Sequence, residues 1–491
     1  MNSYNTRAIV LAAGKSTRFK TKKTKLLFTI CGQTMILYPL KVLESLDIPV
    51  TLVLGHQSDV VIQELNKKPI AQLSYIIQHE QLGTGHAVAC TQHTWDQDHV
   101  LILYGDMPLL TKELVQNLIT EHLKHDNTIS FFTSYVIDPT GYGRVLEKDG
   151  KFWVVEEKDC NDEQRYINRI NAGIYIMKRS FLQSYITKLG KSSVTGEIYL
   201  PELIRLACEA NLPVQAISVP FDNVRGVNTL QELWGVEQIK RSEFIKRWMA
   251  RGVRFELAQS IHIDINVEIA PGSFIGTGVH LLGSTKIGEE CFIGAFSIIE
   301  DATIGDSSMI HSHSVIQRCN VGKHANIGPF ARLLDNNIIE DHVEIGNFVE
   351  MKNSTVGAYS KTRHLSYISN TTIGSHVKTG PGLITNNFDG IKSNQTIIED
   401  NAFVQASNTL IAPITIGKNA VVMAGSTINQ NVPAASCAAS TVPQVNSPRS
   451  EPQTALPADT ETEEMPTCSE CNKTFQFTGA VKTKNDQRAE F

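Results

Sequence analysis

The sequence predicts an α/β domain with a doubly wound sheet, followed by a parallel β-helix of hexapeptide repeats. From Ile261 to about Pro433 an aliphatic residue returns at six-residue steps, usually followed by Gly or an acidic residue. A six-residue period indicates stacked coils of short strands whose branched side chains point inward. The chain begins differently, with a buried apolar run at 8–11 that leads into a glycine-containing loop, as a strand of an α/β sheet does.

The first domain is expected over residues 1–228. Apolar runs that look like strands occur at 8–11, 51–54, 75–77, 100–103, 129–135, 173–177 and 214–219. Helix-like segments separate several of these runs. This alternation predicts a largely parallel, doubly wound sheet with a binding site at the carboxyl ends of its strands.

The remaining segments follow in order. Residues 229–251 are rich in helix formers, with apolar spacings near three and four, which predicts a helical linker. The hexapeptide pattern places the β-helix at 252–443. Residues 444–491 begin with a stretch dominated by Pro, Ser, Thr, Glu and Asp, so a disordered tail is expected. This tail holds a lone C-x-x-C pair, Cys468 and Cys471, for which we do not expect zinc because no second pair or His follows.

Composition excludes several classes of protein. The chain has 491 residues, with 45 Lys and Arg against 50 Asp and Glu and a net charge of -5, so we expect neither a nucleic acid nor a membrane partner. The first residues lack the apolar stretch and small-residue cleavage site of a signal peptide, and no run of about 18 apolar residues could span a bilayer, so neither element is expected. The nine cysteines are mostly scattered singly, which favours reduced thiols. A cytoplasmic protein is predicted.

The loop from Gly14 to Lys25 concentrates positive charge. It contains six basic residues and no acidic one. Backbone N–H groups, Arg and Lys suit a polyphosphate substrate in phosphoryl or nucleotidyl transfer. The spacing differs from the Walker pattern G-x-x-x-x-G-K-[ST], and a solvated basic loop would have the same composition. Other segments must therefore decide between these interpretations.

Four segments in a fixed order carry a family resemblance. They are Leu11-Ala12-Ala13-Gly14 with Arg18 and Lys25, then QLGTGHA at 81–87, YGDMP at 104–108 and DPTGYGR at 138–144. Together they resemble sugar-1-phosphate nucleotidyltransferases, and specifically the bacterial family of bifunctional N-acetylglucosamine-1-phosphate uridylyltransferases and glucosamine-1-phosphate acetyltransferases. The resemblance covers about residues 6–443 and implies that the first domain is a nucleotidyltransferase and that the β-helix is left-handed.

For the first domain the resemblance implies UTP and N-acetylglucosamine 1-phosphate as substrates. Arg18 and Lys25 would be catalytic, and Asp106 and Asn228 would bind Mg²⁺, which prefers oxygen ligands. Taken alone, a strand-end Asp is more often a cap or turn residue. The remaining substrate-binding residues would be Leu11, Ala12, Ala13, Gly14, Gln78, Gly83 and Thr84 for the uracil and ribose, Gly143, Glu156, Asn171 and Asn228 for the sugar, and also Tyr104 and Gly105. A loop one residue shorter than the family pattern leaves Glu157 as an alternative to Glu156.

For the β-helix the resemblance implies acetyl transfer from acetyl-CoA to glucosamine 1-phosphate. His364 would be the general base that deprotonates the amine, a role that suits imidazole near neutral pH. Taken alone, a His on a solenoid coil is more often structural. The other substrate-binding residues would be Lys352, Tyr367, Asn387, Phe388 and Ala424.

Several positions of the second site depart from the family pattern. Leu334 and Thr441 replace Arg, Lys378 replaces Asn, Pro381 replaces Ala, and Gln405-Ala406 replaces Gly-Ser. Loss of Arg removes a forked cation, and Pro removes an N–H. The β-helix therefore either acetylates glucosamine 1-phosphate with a rearranged acyl-CoA site, or serves as an inactive scaffold for a uridylyltransferase homotrimer. A pure binding protein would require loss of the first site, whose motifs are retained.

Overall fold

A nine-stranded sheet organises the first part of the chain, in a computed structural model that describes residues 4–440. Up to residue 249 the strands are β1 (Thr6–Ala12), β2 (Thr29–Ile30), β3 (Gln33–Thr34), β4 (Val50–Leu54), β5 (Leu73–Ile77), β6 (His99–Tyr104), β7 (Ile129–Tyr135), β8 (Arg144–Lys148), β9 (Lys151–Val155), β10 (Arg169–Lys178) and β11 (Val214–Ser218). Strands β2 and β3 form a separate hairpin.

The main sheet has the order β11-β7-β10-β6-β1-β4-β5, and β8 and β9 form a hairpin attached to β10. Strand β10 runs antiparallel to both β6 and β7, so the sheet is mixed rather than wholly parallel. The other neighbours in this order are parallel. Consecutive parallel strands need crossover connections, and these bring the carboxyl ends of β1, β5 and β6 to one edge of the sheet.

Helices cover both faces of this sheet, and the last of them packs instead on β2 and on the strand His262–Ile263. They are α1 (Leu37–Ser45), α2 (Ser58–Asn66), α3 (Thr84–Ala89), α4 (Lys112–Lys124), α5 (Asp162–Arg165), α6 (Arg179–Tyr185), α7 (Glu202–Glu209), α8 (Phe221–Val224) and α9 (Leu230–Met249). Along β6, Leu101 and Leu103 enter one core, whereas Val100 and Ile102 enter the other. Burial on both faces explains why this strand is a continuous apolar run.

Helix α9 begins with a capping box. The Thr229 hydroxyl accepts a hydrogen bond from the Glu232 N–H at 3.1 Å, and the Glu232 carboxylate accepts from the N–H groups of Asn228 at 2.6 Å and Thr229 at 2.9 Å. These bonds satisfy N–H groups that have no partner within the helix. They also fix the backbone of Asn228, which belongs to the cavity described below.

After α9 the chain coils into a β-helix with three faces. The first face has Arg254–Phe255, Phe274–Ile275, Phe292–Ile293, Met309–Ile310, Asn326–Ile327, Glu344–Ile345, Lys361–Thr362, Lys378–Thr379, Phe403–Val404, Val421–Val422 and Cys437–Ala438. The second has His262–Ile263, His280–Leu282, Ile298–Glu300, Val315–Gln317, Arg332–Leu334, Glu350–Lys352, Tyr367–Ser369, Ile384–Asn386, Thr409–Ile411 and Thr427–Ile428. The third has Glu268–Ile269, Lys286–Ile287, Thr303–Ile304, Asn320–Val321, Ile338–Ile339, Thr355–Val356, Thr371–Ile373, Thr396–Ile398 and Ile414–Ile416.

The hexapeptide residues form columns inside this helix. On the first face Ile275, Ile293, Ile310, Ile327 and Ile345 pair in parallel register, and all are buried. Each such side chain contributes about 1.5–3 kcal/mol by leaving water. The sequence period therefore encodes the core directly, and the predicted fold class is confirmed.

Corners of the coils use a left-handed backbone conformation at residues other than Gly. Phe296, His313, Phe330 and Phe348 have φ between 55° and 61°, and their rings stack at centroid distances of 5.2, 4.9 and 5.3 Å. A ring at a positive φ is uncommon. Stacking on the coils above and below offsets part of this strain.

Three features of the sequence fall at the limits of the described residues. Thr441, the segment 444–491 and the Cys468–Cys471 pair lie outside them. Within residues 4–440, no helix is both long enough and apolar enough to cross a membrane. The seven cysteines in that range are free thiols.

Candidate active sites

A cavity of about 350 Å³ opens where β1, β5 and β6 end. It brings together most of the residues predicted for the first site, namely Leu11, Ala12, Ala13, Gly14, Lys25, Gln78, Gly83, Thr84, Tyr104, Asp106 and Asn228. Four residues that had no predicted role complete its lining: Gln81 and Ala87, which belong to the 81–87 motif, and Leu26 and Glu197. The predicted motifs are distant in sequence, and they meet because parallel strands end at the same edge.

Gly83 allows two loops to approach closely at this cavity. Its φ is 111°, and a Cβ there would lie 2.5 Å from the Ile198 carbonyl oxygen. The Ile198 N–H donates to the Leu82 oxygen at 2.8 Å, and the Gly85 N–H donates to the Ile198 oxygen at 2.8 Å. This pairing carries the adjacent Glu197 into the cavity. No local pattern around Glu197 predicts that contact, because it depends on backbone bonds to a segment more than a hundred residues earlier.

Positive charge at one end of the cavity faces an acid and an amide. Lys25 Nζ contacts the Asp106 carboxylate and donates to Asn228 Oδ1 at 2.9 Å. Arg18 Nη2 donates to the same Asn228 oxygen at 2.9 Å. The Lys25 and Asp106 side chains are only 15% and 14% exposed, so their charges are poorly screened by water. Of the six basic loop residues, Arg18 and Lys25 contact Asn228 at the polar end of the cavity.

The loop that carries Asn228 is tied to the end of β6. The Val227 N–H donates to the Asp106 carbonyl at 3.0 Å, which places the two side chains next to each other. One carboxylate and one amide oxygen thus meet around a single ammonium group. Such oxygens are ligands that Mg²⁺ accepts. Among residues 4–440, no group of three or more His, Cys, Asp or Glu side chains could hold a metal ion.

Three residues predicted for the sugar, Gly143, Glu156 and Asn171, lie close together. The Asn171 N–H donates to the Gly143 oxygen at 2.8 Å, and a Cβ on Gly143 would lie 3.4 Å from Glu156 Oε1. Glu156 keeps slight exposure but is closely surrounded by protein atoms. This burial, with smaller contributions from the Asp159 and Glu197 carboxylates, raises its pKa to about 7. Gly105, another predicted substrate-binding residue, has no room for a side chain, since a Cβ there would lie 2.6 Å from Ile36 Cδ1.

The neighbouring Glu157 has a different environment. Its carboxylate pairs with Arg144 Nη2 at 2.7 Å and accepts from the Gly141 N–H at 3.2 Å. Arg144 is 1% exposed, so Glu157 compensates a buried charge. Since Glu157 is engaged in this way, Glu156 is the carboxyl that remains for a ligand beside Gly143. The geometry therefore favours Glu156 over Glu157 for the predicted sugar contact, and this assignment stays a prediction.

In the β-helix, His364 lies at a corner beside a smaller cavity of about 190 Å³. Its Nδ1 accepts a long hydrogen bond, 3.3 Å, from the Asn347 N–H, so the neutral ring carries its hydrogen on Nε2. If His364 acts as a base through Nε2, its hydrogen must lie on Nδ1 instead. Gly346 makes room for the ring, because a Cβ there would lie 2.6 Å from Nδ1.

A single chain does not bring the other predicted acetyl-site residues into this cavity. Lys352 is paired with Asp335 at 3.3 Å on the second face, where Tyr367 is 44% exposed. Asn387 is buried, and its amide nitrogen donates to Asn394 O at 2.9 Å, while its Oδ1 has no partner. Phe388 is 63% exposed. The Ala424 N–H donates to Gln405 Oε1 at 3.1 Å.

The substituted positions sit in intact coils. The Leu334 carbonyl accepts from the buried Asn337 amide at 2.8 Å, and the Ser407 N–H donates to the Pro381 oxygen at 2.8 Å. The Ala406 carbonyl accepts from Gly425 at 2.9 Å. Lys378 pairs in register between Lys361 and Phe403. These substitutions therefore change exposed chemistry without interrupting the hydrogen bonding of the coils.

Comparison with known proteins agrees with both halves of this architecture. Residues 8–146 match a MobA-like NTP transferase domain. Residues 266–301 and 284–318 match the bacterial transferase hexapeptide (six repeats), and residues 395–430 match the hexapeptide repeat of succinyl-transferase. These matches fall on the mixed sheet and on the coils of the β-helix, respectively.

Full-length relatives span both halves. A bifunctional protein GlmU of Alkaliphilus metalliredigens is 37% identical over 437 residues, 88% of this chain and 95% of the relative. Those of Exiguobacterium sibiricum and Streptococcus thermophilus are 38% and 37% identical, covering 87% and 89% of this chain and 95% and 96% of the relatives. Because the similarity extends over nearly the whole length of each relative, the chain belongs to the family of bifunctional GlmU proteins.

Proposed function

We propose that this protein synthesises UDP-N-acetylglucosamine, by uridylyl transfer from UTP to N-acetylglucosamine 1-phosphate preceded by acetylation of glucosamine 1-phosphate. The observation that carries the proposal is the meeting of Arg18, Lys25, Asp106 and Asn228 at one end of a cavity. The cavity has the volume expected of a small-molecule site. Family membership supports the same conclusion.

In the first reaction, a phosphate oxygen of the sugar phosphate attacks the α-phosphorus of UTP. The new P–O bond forms as the bond to the β-phosphate oxygen breaks, and pyrophosphate leaves. The nucleophile is already ionised at neutral pH, so no general base is needed. Arg18 and Lys25 hold two anions together and neutralise charge that develops on the phosphoryl oxygens.

Mg²⁺ would be held by Asp106 and Asn228, whose oxygens already share a cationic neighbour in Lys25. The ion would supply further charge neutralisation at the phosphates. With two protein oxygens only, it would depend on water and phosphate for its other ligands, which suits an ion that retains several waters. Lys25 would then turn from Asp106 towards the phosphates.

In the second reaction, His364 gives up the long bond from the Asn347 N–H, carries its hydrogen on Nδ1, and removes a proton through Nε2 from the glucosamine 1-phosphate ammonium group. The free amine attacks the thioester of acetyl-CoA, and coenzyme A leaves as the thiol. Lys352, Tyr367, Asn387, Phe388 and Ala424 would contribute to binding. Because they lie apart from the His364 cavity in one chain, a homotrimer with sites between β-helices fits their positions. Free thiols support a reducing compartment, the cytoplasm.

One observation favours a narrower function, uridylyl transfer alone. Leu334 offers no cation where the family resemblance expects Arg, and Lys352 is already paired with Asp335. Binding of the sugar phosphate in the β-helix would then have to rely on fewer free cations. The β-helix would in that case serve as the scaffold of the homotrimer.

Two assay mixtures distinguish these functions. The first contains purified protein, glucosamine 1-phosphate, acetyl-CoA, UTP and Mg²⁺, and the second contains N-acetylglucosamine 1-phosphate, UTP and Mg²⁺. UDP-N-acetylglucosamine in both mixtures supports the bifunctional proposal. Product in the second alone leaves a uridylyltransferase, and product in neither contradicts both functions. The His364→Ala variant is the matched control, since it should block only the first mixture.

A further inference from the structure

The Gln78 side chain is held in one orientation at the wall of the nucleotide cavity. The side chain is only 3% exposed, and its Nε2 lies 3.2 Å from the Gly83 carbonyl oxygen and 3.0 Å from His86 Nδ1. A carbonyl oxygen can only accept, so the amide atom that faces it must be the nitrogen. The Gly83 contact therefore assigns the nitrogen and the oxygen of the Gln78 amide.

The same nitrogen determines the tautomer of His86. An amide nitrogen only donates, so His86 Nδ1 accepts and carries no hydrogen. The neutral ring then has its hydrogen on Nε2, which lies 3.8 Å from Cys90 Sγ. Burial raises the pKa of the Cys90 thiol, so the sulfur stays neutral and accepts this hydrogen weakly. His86 lies in α3, and Cys90 is the residue that caps the carboxyl end of this helix, so the two lie one turn apart on the same side.

Both hydrogens of the Gln78 amide are thus engaged within the protein, one with Gly83 and one with His86. Its Oε1 accepts no hydrogen bond from any residue in the range 4–440. This oxygen is accessible rather than buried, and Gln78 lines the cavity, so a ligand or water can supply the donor. The Gln78 oxygen is therefore a fixed acceptor at the cavity wall.

We propose that His86 is a positioning residue that selects the nucleobase: by accepting from Gln78 Nε2, it holds Gln78 Oε1 as an acceptor for a ring N–H. Uracil carries a hydrogen on N3 and can donate to this oxygen. Cytosine has no hydrogen on N3, so two acceptors would face each other. The inference rests on the proposed function, in which this cavity binds UTP, and adds how the site rejects CTP.

Removal of the His86 acceptor should weaken this selection in a defined way. Without it, only the 3.2 Å contact of Nε2 with the Gly83 oxygen opposes rotation of the amide, so the rotated form, which offers its N–H₂ group to cytosine, becomes less unfavourable. A neutral hydrogen bond contributes about 1 kcal/mol, so we expect the preference for UTP over CTP to fall about five- to tenfold. The chemical step does not involve the base, so KM for UTP should change more than kcat.

The experiment measures kcat and KM for UTP and CTP, with N-acetylglucosamine 1-phosphate and Mg²⁺, for the full-length wild type, His86→Ala and His86→Asn. Asn has an acceptor oxygen near the position of Nδ1, so His86→Asn should keep the wild-type ratio within about twofold. In His86→Ala the preference for UTP over CTP should fall about five- to tenfold. A general packing defect would lower the thermal midpoint and both kcat/KM values without changing their ratio.

Two outcomes would overturn the proposal: an unchanged UTP-to-CTP ratio in His86→Ala, or an equal loss in His86→Ala and His86→Asn. Calorimetric binding of UMP and CMP to the same three proteins separates this inference from the proposed function. If the wild type forms no UDP-sugar, the proposed function fails. UMP preference that is lost in His86→Ala and kept in His86→Asn would still support the role of His86, and equal binding of UMP and CMP by the wild type would refute it.

Discussion

Glu156 and Glu157 are adjacent carboxyls whose replacement by Gln should change stability in opposite directions. Burial raises the pKa of Glu156 from 4.5 to about 7. Between these pH values the folded state binds more protons than the unfolded state, so stability falls as pH rises through this window. Above pH 7 the penalty is fully present. At about 1.4 kcal/mol per pKa unit it amounts to about 3 kcal/mol, or about 2 kcal/mol after an allowance for partial exposure.

Glu157→Gln removes the partner of a buried guanidinium instead. Arg144 is 1% exposed, and Glu157 is 29% exposed at 2.7 Å from it. Breaking a fully buried pair costs about 3–5 kcal/mol, and the partial exposure of Glu157 reduces this to about 1–3 kcal/mol. The neutral amide still hydrogen-bonds but does not compensate the charge.

The assay is chemical unfolding of the wild type and both variants at pH 5 and pH 8. At pH 8 Glu156→Gln should be more stable than the wild type, and the difference should shrink at pH 5. Glu157→Gln should be less stable at both. A Glu156→Gln effect that is absent at pH 8, or as large at pH 5, would refute the reasoning. If Glu156 binds the sugar, the same variant should also raise KM for N-acetylglucosamine 1-phosphate.

Three further predictions concern the two sites. Asp106→Ala should lower uridylyl transfer by about 10²-fold or more without unfolding the protein by circular dichroism, and near-normal turnover would remove Asp106 from the metal site. Gly14→Ala should leave the unfolding midpoint unchanged, since no atom lies within 4 Å of the new Cβ. In Gly83→Ala the free energy of unfolding should fall by about 1–3 kcal/mol, because the φ of Gly83 is 111° and Ile198 occupies the space that the new Cβ would need. His364→Ala should abolish acetyl transfer, followed as thiol release from acetyl-CoA, and leave uridylyl transfer within about twofold; parallel loss of both reactions would indicate a structural role.

The β-helix was the part of the fold most readily predicted. Every sixth residue points inward, so residues such as Ile293 and Ile310 reveal the coils without any knowledge of distant contacts. The corners could not be predicted in the same way. Phe296 and Phe348 adopt positive φ values that local preference assigns to Gly or Asn, and the rings stacked on them belong to other coils.

The nucleotide cavity was predictable to the extent that its residues lie in short segments at strand ends. Gln78, Gly83 and Asp106 follow apolar runs, and the topology brings them together. Glu197 was missed because backbone pairing between distant loops places it there. The antiparallel direction of β10 was also missed, since strand direction leaves no local trace in an apolar run. The domain limits and the roles of the site residues stay predictions.

The most direct test of the proposed chemistry is a crystal structure of the full-length protein with a non-hydrolysable UTP analogue and Mg²⁺. We predict the triphosphate within hydrogen-bonding reach of Arg18 and Lys25, and the cation in contact with Asp106 and Asn228. Phosphates bound away from these four side chains would contradict the account.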